Sequence, residues 1–237
     1  MGTEPEKLAV KLGDQDSVTA LLYSASKTQR AKVTVILGHG AGADQLSGFM
    51  RMVANGLAQR GFDALTFNFL YKEKGKSAPD PRAKLEACYQ AVIEAARAHK
   101  KLKTNGVVIG GKSMGGRIAS QVAALDSADI DGLVFFGYPL HPPGRPDKMR
   151  DEHLPKVKAP MLFIQGSRDA FGTEEEIRDV IERLRLRATL YPITGGDHSL
   201  KVPKSAGPQQ DVYERVMDEA AKWIFSIADW PVVAKAL

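Results

Sequence analysis

Residues Gly106 to Gly116, GVVIGGKSMGG, decide how this chain is interpreted, because they match two unrelated catalytic motifs at once. Read from Gly106, they satisfy G-x-x-x-x-G-K-S, a loop that binds nucleotide phosphates and places its serine on a magnesium ion. Read from Gly111, they satisfy G-x-S-x-G, a strand-to-helix turn that presents Ser113 as a nucleophile. The residues around the stretch distinguish the two motifs.

The phosphate-binding interpretation requires the first glycine to follow a strand and the next residues to curl around phosphates. Gly106 instead precedes a strand, and the β-branched run Val107–Ile109 favours a buried strand over a loop. Asp169, the one candidate magnesium ligand at another strand end, is separated from its strand by Gly166–Arg168. Nucleotide binding is therefore the weakest of the alternatives.

The nucleophile interpretation requires a strand that turns sharply into a helix, with small residues two positions before and two after the serine. Gly111 and Gly115 meet that requirement, and Gly116 adds further room. An apolar strand precedes the turn and a helix begins near Met114. The context therefore favours Ser113 as the nucleophile.

A serine nucleophile needs a general base, which in this type of fold is a histidine late in the chain. Three histidines follow Ser113. His198 lies in a glycine-rich loop after the last strand, whereas His141 and His153 lie in a proline-rich loop where solvent exposure is expected. We therefore predict His198 as the base.

The base needs an acid that orients it, and the acid should come between the serine and the histidine. Asp169 follows the apolar strand MLFIQ and is the predicted acid. Asp197 is the second candidate, but its place next to His198 in the chain makes the far ring nitrogen hard to reach.

The negatively charged oxygen that forms during acyl transfer needs two backbone N–H donors. Met114, directly after the nucleophile, is predicted to supply one. The glycine-rich loop Leu37–Asp44 is predicted to supply the other, from Ala41 in preference to Gly42. His39 is expected to shape this loop by hydrogen bonding.

Strand and helix patterns alternate along the chain, which predicts a mostly parallel sheet covered by helices on both faces, a three-layer α/β fold. We treat residues 1–237 as one domain. No stretch long enough for a large cap domain separates the last strands. The predicted strands are Val18–Ser24, Lys32–Leu37, Phe62–Phe69, Gly106–Gly110, Gly132–Phe136, Met161–Gln165 and Ala188–Tyr191. The predicted helices are Leu46–Arg60, Pro81–Lys100, Met114–Leu125, Thr173–Leu184 and Gln209–Ala228.

The composition argues against several classes of function. The net charge is +5, but the basic residues are dispersed, which disfavours nucleic-acid binding. Cys88 is the one cysteine, so no intramolecular disulfide can form, and no apolar run approaches the length of a membrane span. Without a signal peptide pattern at its start, the chain is expected to be cytoplasmic, with no membrane partner, metal or cofactor.

Six segments together are recognisable: HGAGAD, FNFLY, GKSMGGR, GYPLHPPG, QGSRD and GGDHSL. From about Lys32 to His198 the chain resembles a family of dienelactone-hydrolase-like proteins of the α/β-hydrolase superfamily. That family includes bacterial members and the animal testis-expressed and NSL-complex-subunit relatives. The resemblance implies an α/β-hydrolase fold with a Ser113–Asp169–His198 triad, and it names no substrate. Dienelactone hydrolase itself has a cysteine where this chain has Ser113.

The expected partner is a small acyl substrate, cleaved at an ester or related bond. Lys112, Gly42, Tyr71 and Tyr138 are candidates for the substrate pocket. For Lys112 a solvated lysine or one paired with a nearby acid is the favoured alternative, and each tyrosine is equally expected to be a packing residue. A non-catalytic interaction protein on a hydrolase scaffold remains the alternative function. The apolar segment Asp229–Leu237 is expected to pack on the domain or on a second subunit.

Overall fold

The computed structural model describes residues 4–25, 29–125, 129–228 and 232–234. Its strands are β1 (Glu6–Leu12), β2 (Asp16–Tyr23), β3 (Gln29–Ala31), β4 (Val33–Gly38), β5 (Asp63–Phe67), β6 (Gly106–Lys112), β7 (Gly132–Phe136), β8 (Met161–Gly166), β9 (Ala188–Ile193) and β10 (Val232–Ala234). Its α-helices are α1 (Gly48–Gln59), α2 (Leu70–Glu73), α3 (Arg82–Ala98), α4 (Met114–Ala123), α5 (Glu174–Arg183) and α6 (Gln209–Ser226).

The main sheet has the strand order β1-β2-β5-β4-β6-β7-β8-β9. β2 pairs antiparallel with both β1 and β5, and the pairs from β5 across to β9 are parallel. The carboxyl ends of the parallel strands therefore lie along one edge, where ligand sites of such sheets are built.

Alternate residues of the central strands face opposite sides of the sheet, as the pleat requires. In β6, Val107 and Ile109 belong to an apolar cluster shared with α3, α4 and α5. Val108 belongs to a second cluster, shared with α1 and α6. Because both faces are covered, these strands are apolar throughout rather than alternating. The predicted three-layer α/β fold is confirmed.

The connection from β7 to β8, residues 137–160, is fully described and contains one short 3₁₀ turn, Leu154–Lys156. It is too short to form a domain of its own. The prediction of a fold without a large cap is confirmed, and the edge above β6 is left uncovered by any such insertion.

Several elements at the margins were not predicted from the sequence. β1 forms an antiparallel hairpin with β2, and α2 begins where the predicted strand Phe62–Phe69 was expected to end. β10 pairs antiparallel with β3, which accounts for part of the segment Asp229–Leu237, whereas residues 229–231 and 235–237 lie outside the described residues. No helix in the described ranges is both long and apolar enough to cross a membrane.

Candidate active site

Ser113 stands at the turn between β6 and α4, with φ 50° and ψ −115°. A non-glycine residue at positive φ is strained by about 1–3 kcal/mol and persists only where its surroundings enforce it. Here the enforcing neighbour is β4. A Cβ atom would lie 2.1 Å from the carbonyl oxygen of Gly38 if placed on Gly111, and 2.0 Å from the same oxygen if placed on Gly115. Glycine at both positions lets the turn sit directly against the backbone of β4.

The same geometry excludes the phosphate-loop interpretation. Residues Gly106–Lys112 form a continuous strand that pairs in parallel with β4 on one side and β7 on the other. Their backbone groups are used in the sheet and cannot curl around a phosphate.

Three side chains from separate loops form one hydrogen-bonded chain. Ser113 Oγ lies 2.8 Å from His198 Nε2, and His198 Nδ1 lies 2.9 and 2.8 Å from the two carboxylate oxygens of Asp169. A carboxylate only accepts, so Nδ1 carries a proton, and in the neutral ring Nε2 then accepts from the serine hydroxyl. The arrangement is suited to moving the serine proton onto the imidazole.

Asp169 is almost fully buried, and other groups hold its carboxylate in place. The N–H of Phe171 donates to Oδ1 at 2.8 Å, and the amide of Gln165 donates to Oδ2 at 2.9 Å. The ring of Phe171 also stacks on the ring of His198, with centroids 4.1 Å apart. The acid and the imidazole are thus oriented by the same short loop.

Asp197, the second candidate for the acid, hydrogen-bonds to the backbone of its own turn. Its Oδ1 accepts from the backbone N–H groups of Ser199 and Lys201 at 2.7 and 2.9 Å. It closes the turn that carries His198 and does not contact the imidazole nitrogens.

Ala41 and Met114, the predicted oxyanion-hole residues, both border the cavity at Ser113. In the described part of the chain, neither backbone N–H has an acceptor. The loop that carries Ala41 is held by Tyr71, whose Oη donates to the Ala41 carbonyl at 2.8 Å. Two free N–H donors therefore lie beside the serine hydroxyl.

His39 anchors the same loop. The N–H of Phe69 donates to His39 Nε2 at 3.2 Å, so Nδ1 must carry the proton that is shared with the Gly40 carbonyl at 2.8 Å. Burial lowers the pKa of His39, which keeps the ring neutral in this arrangement. The expected role of His39, shaping the loop by hydrogen bonds, is confirmed.

The cavity at Ser113 has a volume of about 290 Å³. Its charged lining consists of three arginines and one aspartate, and the remaining lining is apolar apart from the serine. The lining residues are Ala41, Pro79, Asp80, Arg82, Leu85, Ser113, Met114, Arg117, Pro139, Arg150 and Phe171. The volume is at the small end of ligand sites.

A family model described as an alpha/beta hydrolase domain matches residues 31–225 of this chain. The chain belongs to the α/β-hydrolase family. The resemblance inferred from the sequence motifs is thereby confirmed. Solved structures share the fold of this α/β-hydrolase over nearly its whole length.

A lidless α/β serine hydrolase of Xanthomonas campestris superimposes with a TM-score of 0.74 at 20% identity, covering 94% of this chain and 96% of that chain. Dienelactone hydrolase from Anabaena variabilis gives 0.72 at 22% identity, covering 94% and 98%. An esterase of Pyrococcus furiosus gives 0.70 at 17% identity, covering 93% and 91%. At these identities the likeness concerns the fold.

The residues that the sequence suggested for the pocket of this α/β-hydrolase lie elsewhere. Tyr71 and Tyr138 are fully buried and do not line the cavity at Ser113. Gly42 is exposed and does not line it either. Both tyrosine side chains point into the protein, where each hydroxyl donates to a backbone carbonyl. Tyr71 donates to the carbonyl of Ala41, and Tyr138 donates to the carbonyl of Arg150.

Lys112 points away from that cavity. Its Nζ donates to the carbonyl of His198 and lies 5.9 Å from the centre of the Phe49 ring. It borders a different cavity, together with Ser199 and Tyr213 among others. Burial lowers the pKa of Lys112 to about 8, opposed by the carboxylates of Asp169 and Asp197. Neither expectation for a non-catalytic Lys112, full solvation or a paired acid, describes this contact.

His141 and His153, expected in solvent, are instead held inside the proline-rich loop. His141 is buried, with Nε2 3.2 Å from Glu176 at the start of α5. His153 Nε2 lies 2.7 Å from Ser120 Oγ, and burial, with Arg82 and Arg117 nearby, lowers its pKa to about 4. The loop packs on the domain, which a count of polar residues does not reveal.

Sequence reasoning missed four residues that shape the site: Gln165, Phe171, Arg117 and Arg150. A signal for Arg117 was available, because it follows Ser113 by four residues on a helix and therefore lies on the same face. Arg150 had no such signal, since its place at the cavity depends on how the proline-rich loop folds back.

Proposed function

We propose that this protein is a serine hydrolase that cleaves an ester or related acyl bond of a small substrate through a covalent acyl-enzyme. The observation that carries the proposal is the hydrogen-bonded chain from Ser113 through His198 to Asp169. Serine is a poor nucleophile without an adjacent base, and this geometry supplies one together with the acid that orients it.

In the proposed reaction, His198 Nε2 takes the proton of Ser113 as Oγ attacks the acyl carbonyl carbon. The N–H groups of Met114 and Ala41 hold the oxyanion of the tetrahedral intermediate. Asp169 stabilises the imidazolium, which then gives its proton to the departing alcohol as the acyl-enzyme forms. The N-terminal end of α4 points at the developing negative charge and favours it.

Water then attacks the acyl-enzyme. His198 takes a proton from that water. As the second tetrahedral intermediate collapses, the bond to Ser113 Oγ breaks, His198 returns the proton to Oγ, and the acid is released. The absence of a large cap over the site gives water and small substrates direct access. The single buried Cys88 supports placing this reaction in a reducing compartment, the cytoplasm.

The proposal is tested by hydrolysis of p-nitrophenyl esters of rising acyl length. We expect measurable turnover with short chains, and a loss in kcat of at least about a thousandfold for Ser113→Ala and for His198→Ala. Ser47→Ala is the matched control, because the Ser47 side chain makes no capping hydrogen bond and stands outside the site. Flat, negligible rates of the folded wild-type protein across the panel would favour the interaction-protein alternative instead.

A further inference from the structure

The cavity beside Ser113 contains cations that the protein itself does not neutralise. Arg82 is paired with Glu86 at 2.5 Å, whereas Arg117 and Arg150 form no ion pair with a carboxylate among the described residues. The Arg150 guanidinium makes one long hydrogen bond, from Nη1 to the carbonyl of Pro139 at 3.4 Å. Asp80 also lines the cavity, but it makes no ion pair with either arginine. An unpaired cation next to the reacting serine calls for an anion from outside the protein.

Arg117 shows the imbalance most clearly. Its Nε is buried and has no hydrogen-bond partner in the described part of the chain. Burial, reinforced by the positive charges of Arg150 and Arg82 and opposed by Tyr138 and the Glu86 carboxylate, lowers the pKa of the Arg117 guanidinium. Burying a donor of this kind without a partner is unfavourable for folding, so packing alone gives no reason for it.

Both arginines are nevertheless held firmly by their backbones. Ser120 Oγ donates to the Arg117 carbonyl at 2.7 Å, and Tyr138 Oη donates to the Arg150 carbonyl at 3.0 Å. Because the Ser120 hydroxyl has one proton and uses it on Arg117, His153 must donate to Ser120 through Nε2. These hydrogen bonds hold the backbone at each of the two arginines in place.

The arginines are also placed correctly relative to the nucleophile. Arg117 follows Ser113 by one helical turn, and its N–H donates to the Ser113 carbonyl at 3.0 Å. Arg117 and Arg150 both line the same small cavity as Ser113 and Met114. A group bound by them therefore lies within a few atoms of an acyl carbon at Ser113.

We propose that Arg117 and Arg150 bind a carboxylate carried by the substrate, so that the enzyme acts on small esters with an anionic group near the scissile bond. The proposal rests on the proposed function, in which Ser113 is the nucleophile. A planar guanidinium matches the geometry of a carboxylate with two parallel hydrogen bonds, and the apolar remainder of the cavity suits a short carbon chain.

The sequence suggested Lys112 as a cationic residue of the substrate pocket, but in the structure the two arginines occupy that place. The Lys112 ammonium is used by the His198 carbonyl and borders the other cavity. The anion site therefore lies on the α4 side of the nucleophile, between α4 and the proline-rich loop.

Pairs of esters that differ by one charge test the proposal. Mono-p-nitrophenyl glutarate is compared with p-nitrophenyl pentanoate for a carboxylate in the acyl part. 4-Acetoxybenzoate is compared with its methyl ester for a carboxylate in the alcohol part. We expect the wild-type enzyme to favour the anionic member of at least one pair by about tenfold or more in kcat/KM. Equal rates or a preference for the neutral member in both pairs would overturn the proposal.

Arg117→Gln and Arg150→Gln are expected to lower the anionic-to-neutral ratio by about tenfold to a hundredfold, and Arg117→Lys to restore part of it. Arg145→Gln is the matched control, because Arg145 lies in the same loop, is exposed and pairs with Asp147. It removes the same charge and should leave the ratio unchanged. A ratio that is unaffected in both cavity variants contradicts the assignment, and Arg150→Gln still reports if Arg117→Gln does not fold.

A binding measurement separates this proposal from the proposed function. Isothermal titration of glutarate into the wild-type protein should show binding that Arg117→Gln weakens by about tenfold or more. Glutarate that fails to bind the wild-type protein overturns the anion site whether or not esters are hydrolysed. Failure of Ser113 to react with a fluorophosphonate, with glutarate still bound, overturns the proposed function alone.

Discussion

At the level of single residues, the position of Ser113 depends on glycines, whose missing side chains let the turn lie close to β4. Gly111 and Gly115 allow the serine turn to approach the backbone of Gly38, and the strained φ of Ser113 follows from that approach. The position of Ser113 is therefore determined by contacts between β4 and the turn, as much as by Ser113 itself.

Gly115→Ala should be strongly destabilising. Its Cβ would fall 2.0 Å from a backbone oxygen, which cannot rotate away, so we expect a loss of unfolding free energy of about 3 kcal/mol or more, or failure to fold. Gly42→Ala is the control, since nothing lies within 4 Å of a Cβ at that position. Urea denaturation of both variants measures the difference, and a Gly115→Ala protein as stable as Gly42→Ala would contradict the geometry.

At the scale of elements, the ends of β7 and β8 are joined by one buried amide. Gln165 is the penultimate residue of β8. Its side-chain amide accepts from the Tyr138 N–H at 2.8 Å and donates to the carbonyl of Gly172 at 2.6 Å. The same amide donates to Asp169. The position of the Asp169 carboxylate thus depends on the hydrogen bonds of Gln165 at the carboxyl ends of β7 and β8.

Gln165→Leu should affect both folding and turnover. Leucine leaves the Tyr138 N–H and the Gly172 carbonyl buried without a partner, which we expect to cost about 2–4 kcal/mol of unfolding free energy. Loss of the bond to Asp169 should lower kcat by about tenfold while KM changes little. The exposed Gln210→Leu serves as the control in both assays, and an unchanged kcat in a folded Gln165→Leu protein would show that Gln165 does not position the acid.

The sequence allowed the central elements to be predicted because both faces of the sheet are buried. β7 was predicted with its observed bounds, and the predicted helix Thr173–Leu184 is present as α5, which begins with a capping box at Thr173. The hairpin strand β1 was missed although its apolar residues alternate, because an edge strand carries charged residues between them. The residues that form the hydrogen-bonded chain at Ser113 could be predicted because Ser113 directly follows β6, Asp169 comes three residues after β8, and His198 lies in a glycine-rich turn after β9. The pocket could not, because side-chain direction in loops such as the one bearing Tyr138 is decided by tertiary hydrogen bonds.

At the scale of the whole molecule, the charge balance of the site influences stability. Lys112 is held beside His198 in a setting that disfavours its charged form, with a folded pKa of about 8 against an ordinary value of 10.5. Between these two pH values the unfolded chain binds the proton that the folded chain does not. The contribution of Lys112 to the unfolding free energy therefore rises with pH across this window.

Comparing the wild type with Lys112→Met isolates that contribution. We expect the wild type to gain about 2–3 kcal/mol of unfolding free energy relative to Lys112→Met as pH increases from about 8 to 10.5. Denaturant titrations at several pH values measure the difference. Lys201→Met removes an exposed lysine of the same region and is the control for the loss of one positive charge. A Lys112→Met difference that is constant with pH would contradict the shifted pKa of Lys112.

The central claim is that Ser113 is a nucleophile activated by His198. It is tested most directly by reacting the folded protein with a fluorophosphonate and locating the adduct by peptide mass spectrometry. We expect one adduct per chain, on Ser113, absent in Ser113→Ala and formed at least about a hundredfold more slowly in His198→Ala. A folded wild-type protein that forms no adduct, or forms it on another residue, would contradict the account.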